Sequence, residues 1–182
     1  MQCPVCKGRH LVQGTLEGGL PAGMCPSCNG VWLARSDYEK WIGGGTAPET
    51  GGDKIAKIDC GDIPKAKICP ACGHILLRHH VGHGASFYID HCASCEGIWL
   101  DKNEWPSLKS LGLHDHLYKI MTASWQRAIR EESLIDRVEE SYRQRLGKDA
   151  YEKICDFATW MKENPDGNLA ISYLLMCLKA GK

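Results

Sequence analysis

"CPSCNGVWLARSDYEKW" occupies Cys25 to Trp41, and "CASCEGIWLDKNEWPSL" occupies Cys92 to Leu108. In register, 67 residues apart, they share Cys, Ser, Cys, Gly, Trp and Leu, and most other differences are mild: Val31 for Ile98, Arg35 for Lys102, Asp37 for Glu104. Ahead of each phrase stands another C-x2-C pair, so eight of the eleven cysteines form Cys3/Cys6, Cys25/Cys28, Cys69/Cys72 and Cys92/Cys95. Eighteen residues separate Cys6 from Cys25 and nineteen separate Cys72 from Cys92. C-x2-C-x15–20-C-x2-C is a zinc spacing, in which tight turns aim two sulfurs each at one ion and the chain between them goes out and back as a hairpin.

Two Zn2+ ions are therefore expected, one on Cys3, Cys6, Cys25 and Cys28, the other on Cys69, Cys72, Cys92 and Cys95. Iron in a rubredoxin-like site would use the same ligands. Four protein thiolates close the coordination shell, whereas a catalytic zinc keeps a position for water or substrate, so both sites read as structural. In modules this small, metal binding supplies much of the folding free energy, of order 10–16 kcal/mol in zinc-finger peptides. Cys60, Cys155 and Cys177 read as spare thiols.

The rest of the phrase builds around the metal. Gly30 and Gly97, two residues after a knuckle, are expected to supply a positive φ. Trp32-Leu33 and Trp99-Leu100 supply apolar bulk. Ser36 to Glu39 fits a capping box opening a short helix; in the copy Asp101 or Asn103 can cap, with Pro106 tolerated in the first turn. The expected unit is knuckle, hairpin, knuckle, Trp-Leu strand, short helix.

These residues resemble the CPsCgGvWLdrgEle signature of the bacterial TFIIB-type zinc-ribbon (zf-TFIIB) family, over about residues 1–42 and 68–112. The resemblance implies a zinc-ribbon fold with the metal role on the eight paired cysteines. Through the initiation factor after which the family is called, it also implies contact with the transcription machinery. The chain departs from a single-ribbon member by duplicating the domain and adding a tail.

The expected class is α+β: ribbon 1 over 1–42, a Gly-rich linker and lead-in strand over 43–67, ribbon 2 over 68–112, and a helical interaction region over 113–182. In that last region Leu113, Leu117, Ile120, Met121, Ala128, Ile135, Val138, Tyr142 and Leu146 recur at helical spacing, predicting one amphipathic helix of 33 or so residues ending at Gly147. "DAYEKICDFATWMKE" predicts a second helix, "NPDGN" a turn and "LAISYLLMCLK" a third. A homodimer through the long helix, docking on a different protein, and an intramolecular three-helix bundle are all compatible with that stripe.

Lys+Arg and Asp+Glu number 22 each, without the basic excess usual in proteins that grip nucleic-acid backbone. No apolar signal segment precedes the first Cys and no apolar run is long enough to span a bilayer, so a reducing cytoplasmic setting without membrane partners is expected. Phosphate-binding Gly loops, nucleophile elbows and H-E-x-x-H are absent from the sequence, so no enzyme is expected. The leading expectation is a non-enzymatic zinc-binding adaptor with a protein partner. The alternative is a nucleic-acid-binding transcriptional regulator using Lys65, Lys67, Arg78 and the histidines of ribbon 2. Of these, His79, His80, His83 and His91 read either as an accessory metal or nucleic-acid site or as a polar hairpin, with Trp32 and Trp99 as core rather than stacking platforms.

Overall fold

The structure, a computed structural model, describes residues 1–6, 8–45, 60, 63, 65–82 and 84–180. Most of the Gly-rich linker, the Ile/Lys lead-in and His83 lie outside the described residues. Two compact units divide the chain, Met1–Ile129 and Arg130–Lys182.

In the first unit the two ribbons share one antiparallel sheet. The strands are β1 (Val12–Thr15), β2 (Pro21–Met24), β3 (Val31–Leu33), β4 (Leu77–Gly82), β5 (Ala85–His91) and β6 (Ile98–Leu100), in the order β1-β2-β3-β6-β5-β4. The central pairing joins the copies, with Val31 opposite Leu100, Trp32 opposite Trp99 and Leu33 opposite Ile98. The Trp-Leu edge of each ribbon is therefore covered by that of the other, removing two exposed strand edges.

Alternation along β3 and β6 sends successive side chains to opposite faces, and both faces are buried. Val31, Leu33, Ile98 and Leu100 join Tyr38, Trp41, Trp105, Leu108, Leu117 and Ile120 in the larger core. Trp32 and Trp99 join Cys3, Cys25, Cys69, Cys92 and Leu76 on the metal side. Both indoles are core, almost fully excluded from solvent.

Helices α1 (Arg35–Gly43) and α2 (Glu104–Ser110) follow the two Trp-Leu strands as expected. The capping box does not form: Ala34 occupies the cap position of α1 without a side-chain bond, and Glu39 instead accepts from Arg35 Nε at 2.7 Å. In the second copy Asn103 takes the cap position with a left-handed φ of 69° and no side-chain bond. Glu104 reaches back there to accept the Asp101 backbone N–H at 2.8 Å.

The single long helix expected from Leu113 is interrupted. A short helix α3 (Leu117–Ile120) precedes α4 (Ala123–Leu146). Leu117 and Ile120, fully buried against the sheet, belong to the ribbon core, so their helical spacing served a different partner from that of the residues after 129. The start of α4 is tied to β4, with Trp125 Nε1 donating to the Val81 carbonyl at 3.0 Å and Gln126 Nε2 to the His80 carbonyl at 2.8 Å. Gly82, with φ 73°, leaves room for Ile129, whose Cγ1 would lie 2.6 Å from an added Cβ.

The second unit holds the remainder of α4, then α5 (Lys148–Glu163) and α6 (Gly167–Lys179). Gly147 ends α4 with φ 79° and the Asn164–Asp166 turn precedes α6, both as the sequence predicts. The bundle core weighed for this region does not form within the chain: beyond Ile129, Gly167 is the buried residue among those described. There the helices approach closely enough that an added Cβ would meet the Met161 carbonyl at 2.1 Å.

Candidate metal centres

Each tetrad is assembled by two knuckles. In ribbon 1 the Asn29 N–H bonds the Cys25 carbonyl and the Cys25 N–H bonds the Gly30 carbonyl, both at 2.9 Å. In ribbon 2 Glu96 to Cys92 and Cys92 to Gly97 repeat the turn at 2.8 and 2.9 Å. The left-handed residues are Asn29 (φ 57°) and Glu96 (φ 56°), one position before the glycines.

The glycines answer a different requirement from the one expected of them. A Cβ on Gly30 would lie 2.1 Å from Cζ2 of Trp99, and one on Gly97 would lie 2.2 Å from Cζ2 of Trp32. Each ribbon's tryptophan lies flush against the other ribbon's glycine. The Gly-x-Trp of the repeated phrase is a reciprocal lock between the copies.

The four sulfurs of Cys3, Cys6, Cys25 and Cys28 lie within 4.8 Å of one another, as do those of Cys69, Cys72, Cys92 and Cys95. A tetrahedral ion with Zn–S near 2.3 Å requires sulfurs about 3.8 Å apart. Cys3–Cys28 at 3.6 Å, Cys69–Cys95 at 3.5 Å and Cys72–Cys92 at 3.4 Å come within a few tenths of that. Backbone N–H groups of Val5 and Cys6 point at Cys3 Sγ (3.4 and 3.2 Å), and that of Ala71 at Cys69 Sγ (3.4 Å). Such donors stabilise thiolates.

Proton affinities among the sulfurs diverge. Burial pushes Cys3 and Cys28 up, and Cys69 up to about 12. Burial also raises Cys25, but the Cys28 and Ser27 backbone bonds outweigh it and bring the thiol down to about 7. The His74 backbone and ring lower Cys72 to about 6. Crowded thiols that resist joint ionisation suit a divalent cation, which neutralises the charge and expels the protons. The donor set, spacing and closure fit two zinc ions, which supply cross-linking of the knuckles and no open position for chemistry.

The two centres have different surroundings. Matching backbone bonds, Leu11 N–H to Met1 O and Leu76 N–H to Lys67 O at 2.9 Å each, make Lys67 the counterpart of Met1. The sheet pairs Gly23 with Trp32 and Asp90 with Trp99. In ribbon 2 the buried Lys67 ammonium bonds Asp90 Oδ2 at 2.6 Å, Asp101 Oδ2 at 2.9 Å and the Ile63 carbonyl at 3.2 Å. Asp101 Oδ1 accepts the Trp99 indole N–H at 2.8 Å. Burial lowers the Lys67 ammonium, but its carboxylate bonds more than restore it. Glu104, buried beside Asp101 and Asp90, is pushed up to about 9 and stays protonated at neutral pH. No local pattern along the chain announces this network, because its members lie on separate strands and turns.

Lys67 consequently faces inward and is absent from any surface basic patch. Arg78 lies over the Tyr88 ring, 4.4 Å from its centroid. His79 and His91 are half-buried with ring centroids 5.8 Å apart, and burial lowers both of their pKa values. Among the described residues, the two Cys tetrads are the groups able to hold a metal, and the histidines add no third.

Comparison with known proteins agrees with the geometry. The transcription factor zinc-finger profile, a TFIIB-type zinc ribbon, matches residues 2–44 and again residues 68–110. No curated protein and no solved structure matches the chain. Both ribbons thus match the TFIIB-type zinc-ribbon family, and a helical C-terminal extension follows them.

Proposed function

We propose that this zinc-binding protein is a non-enzymatic adaptor: the ribbon unit is a metal-built platform and the helical region takes a protein partner. The carrying observation is the second unit, where Leu134, Ile135, Val138, Trp160, Leu169 and Leu178 are all at least half exposed. Its described residues form helices while leaving most of their large apolar side chains exposed, which offsets little of the conformational entropy lost. Its apolar faces are suited to burial against another polypeptide. The closed tetrads support a structural rather than catalytic role for the metal, as does a family whose members are typically binding modules.

A cytoplasmic, reducing compartment suits eleven cysteines that are free thiols in this structure. No described helix is long and apolar enough to cross a membrane. A partner within the transcription machinery is the family-level form of this reading. The nucleic-acid alternative loses Lys67 to the buried network.

Fluorescence anisotropy of the zinc-loaded chain with mixed duplex and single-stranded oligonucleotides tests the choice. The adaptor reading expects flat curves at micromolar protein. Binding that falls steeply with salt would mean phosphate neutralisation and would install the regulator reading instead.

A further inference from the structure

We infer that the helical region's partner is a second copy of this chain, joined through an antiparallel pairing of α4 centred on Val138. The inference rests on the adaptor reading's claim that residues after 129 form an interaction surface, and it names the occupant. Leu134, Val138 and Tyr142 lie on one face of α4, each more than half exposed. Glu131 and Arg145 extend the same face, both exposed. Measured from Val138, these five stand at −7, −4, 0, +4 and +7. Steps of three, four, four and three residues keep all five on one side of the helix and are symmetric about Val138.

The pattern is self-complementary only when the helices run in opposite directions. A two-fold axis at Val138 places it against its own copy, Leu134 against Tyr142, and Glu131 against Arg145 at both ends. A parallel, in-register pair would set Glu131 against Glu131 and Arg145 against Arg145, which is repulsive. The charges flanking the seam follow the same polarity. Glu131, Glu132 and Asp136 precede Val138 and Arg143, Arg145 and Lys148 follow it, with Arg137, Glu139 and Glu140 beside the axis. Antiparallel copies bring the acidic stretch of one towards the basic stretch of the other. Such a contact is isologous and closes at two copies. The seam from 131 to 145 spans about 22 Å at 1.5 Å per residue, short for an isolated coiled coil, so the apolar faces of α5 and α6 are expected to gain cover in the same dimer.

Sedimentation velocity on the full zinc-loaded chain across a concentration series tests the inference. It predicts a species of twice the 20.2 kDa chain mass. Val138→Glu, which puts like charges on the axis, should give monomer with two zinc ions and an unchanged ribbon unit. Glu131→Arg should weaken dimerisation about tenfold or more, and adding Arg145→Glu should restore it. A monomeric wild-type chain at tens of micromolar would overturn the proposal, as would a dimer indifferent to Val138→Glu. Failure of the charge reversal to rescue would overturn the antiparallel register. A monomer whose helical region binds a different, defined protein would overturn the self-pairing while leaving the adaptor reading in place.

Discussion

Ribbon 1 and ribbon 2 share a metal frame and a strand register, yet they fill the space beside their tryptophans in opposite ways. In ribbon 1 the positions equivalent to Lys67, Asp90 and Asp101 hold Met1, Gly23 and Ala34, with Leu11 Cδ1 only 3.3 Å from where a Cβ on Gly23 would be. Around Trp99 the matching positions are Lys67, Asp90 and Asp101, joined in a buried ionic network that also holds the indole N–H. Zinc thus fixes the outline of each copy, while the centre is free to be apolar or charged. The reciprocal Trp–Gly contacts require one tryptophan to be accurately placed in each copy. In ribbon 2 a carboxylate supplies that placement.

The sharpest way to break this contrast is Lys67→Met, which installs ribbon 1's residue alone in ribbon 2. Orphaning buried Asp90 and Asp101 should cost about 3–5 kcal/mol, read as a lower midpoint in urea unfolding of the zinc-loaded protein. Converting Asp90→Gly and Asp101→Ala as well should recover part of that loss, because no unpaired charge remains.

Next in size comes the lock itself. Gly97→Ala drives a methyl into Trp32 and should cost about 1–3 kcal/mol in the same measurement. Gly43→Ala, where an added Cβ meets nothing within 4 Å, is the control and should cost nothing.

The protonated Glu104 gives the contrast a pH signature. Its folded pKa of about 9 lies above the ordinary 4.5. Both states hold the proton below pH 4.5, but between 4.5 and 9 the unfolded chain releases it while the fold retains it, so stability falls as pH rises. Glu104→Gln should remove that fall, gaining on the wild type by at most about 1.4 kcal/mol per pH unit in that window. Parallel urea titrations at pH 6, 7 and 8 would read it; a constant difference would refute the protonated state.

The smallest effect is expected at the surface. Arg35 of α1 pairs with Glu39 and, across the seam, with Glu96 of ribbon 2, all part-exposed. Arg35→Ala should cost about 0–1 kcal/mol and less in high salt.

Much of this was legible in the sequence for physical reasons. The tetrads were, because sulfur spacing is set by the ion's geometry. The order of knuckle, hairpin, strand and helix followed from the repeat. The seam was not, because β3 and β6 are three residues each and their partner lies 67 positions away in the chain. Gly30 and Gly97 neighbour a turn, yet Asn29 and Glu96 take the positive φ and leave the glycines to make space. Lys67 has no local mark of burial, because its burial depends on carboxylates from β5 and the turn before α2. The helix expected from Leu113 was overextended because Leu117 and Ile120 keep helical spacing while packing on the sheet.

The two ribbons are one metal-built unit, held by the Trp–Gly lock, rather than two modules on a linker. Amide hydrogen exchange of β5 and β6 in a full-length Cys25→Ser/Cys28→Ser variant tests it most directly, since that variant dismantles only the first metal centre. Protection of Ile98–Leu100 should fall sharply although the second tetrad keeps its zinc. Unchanged protection there would show that ribbon 2 stands alone and would contradict the shared unit.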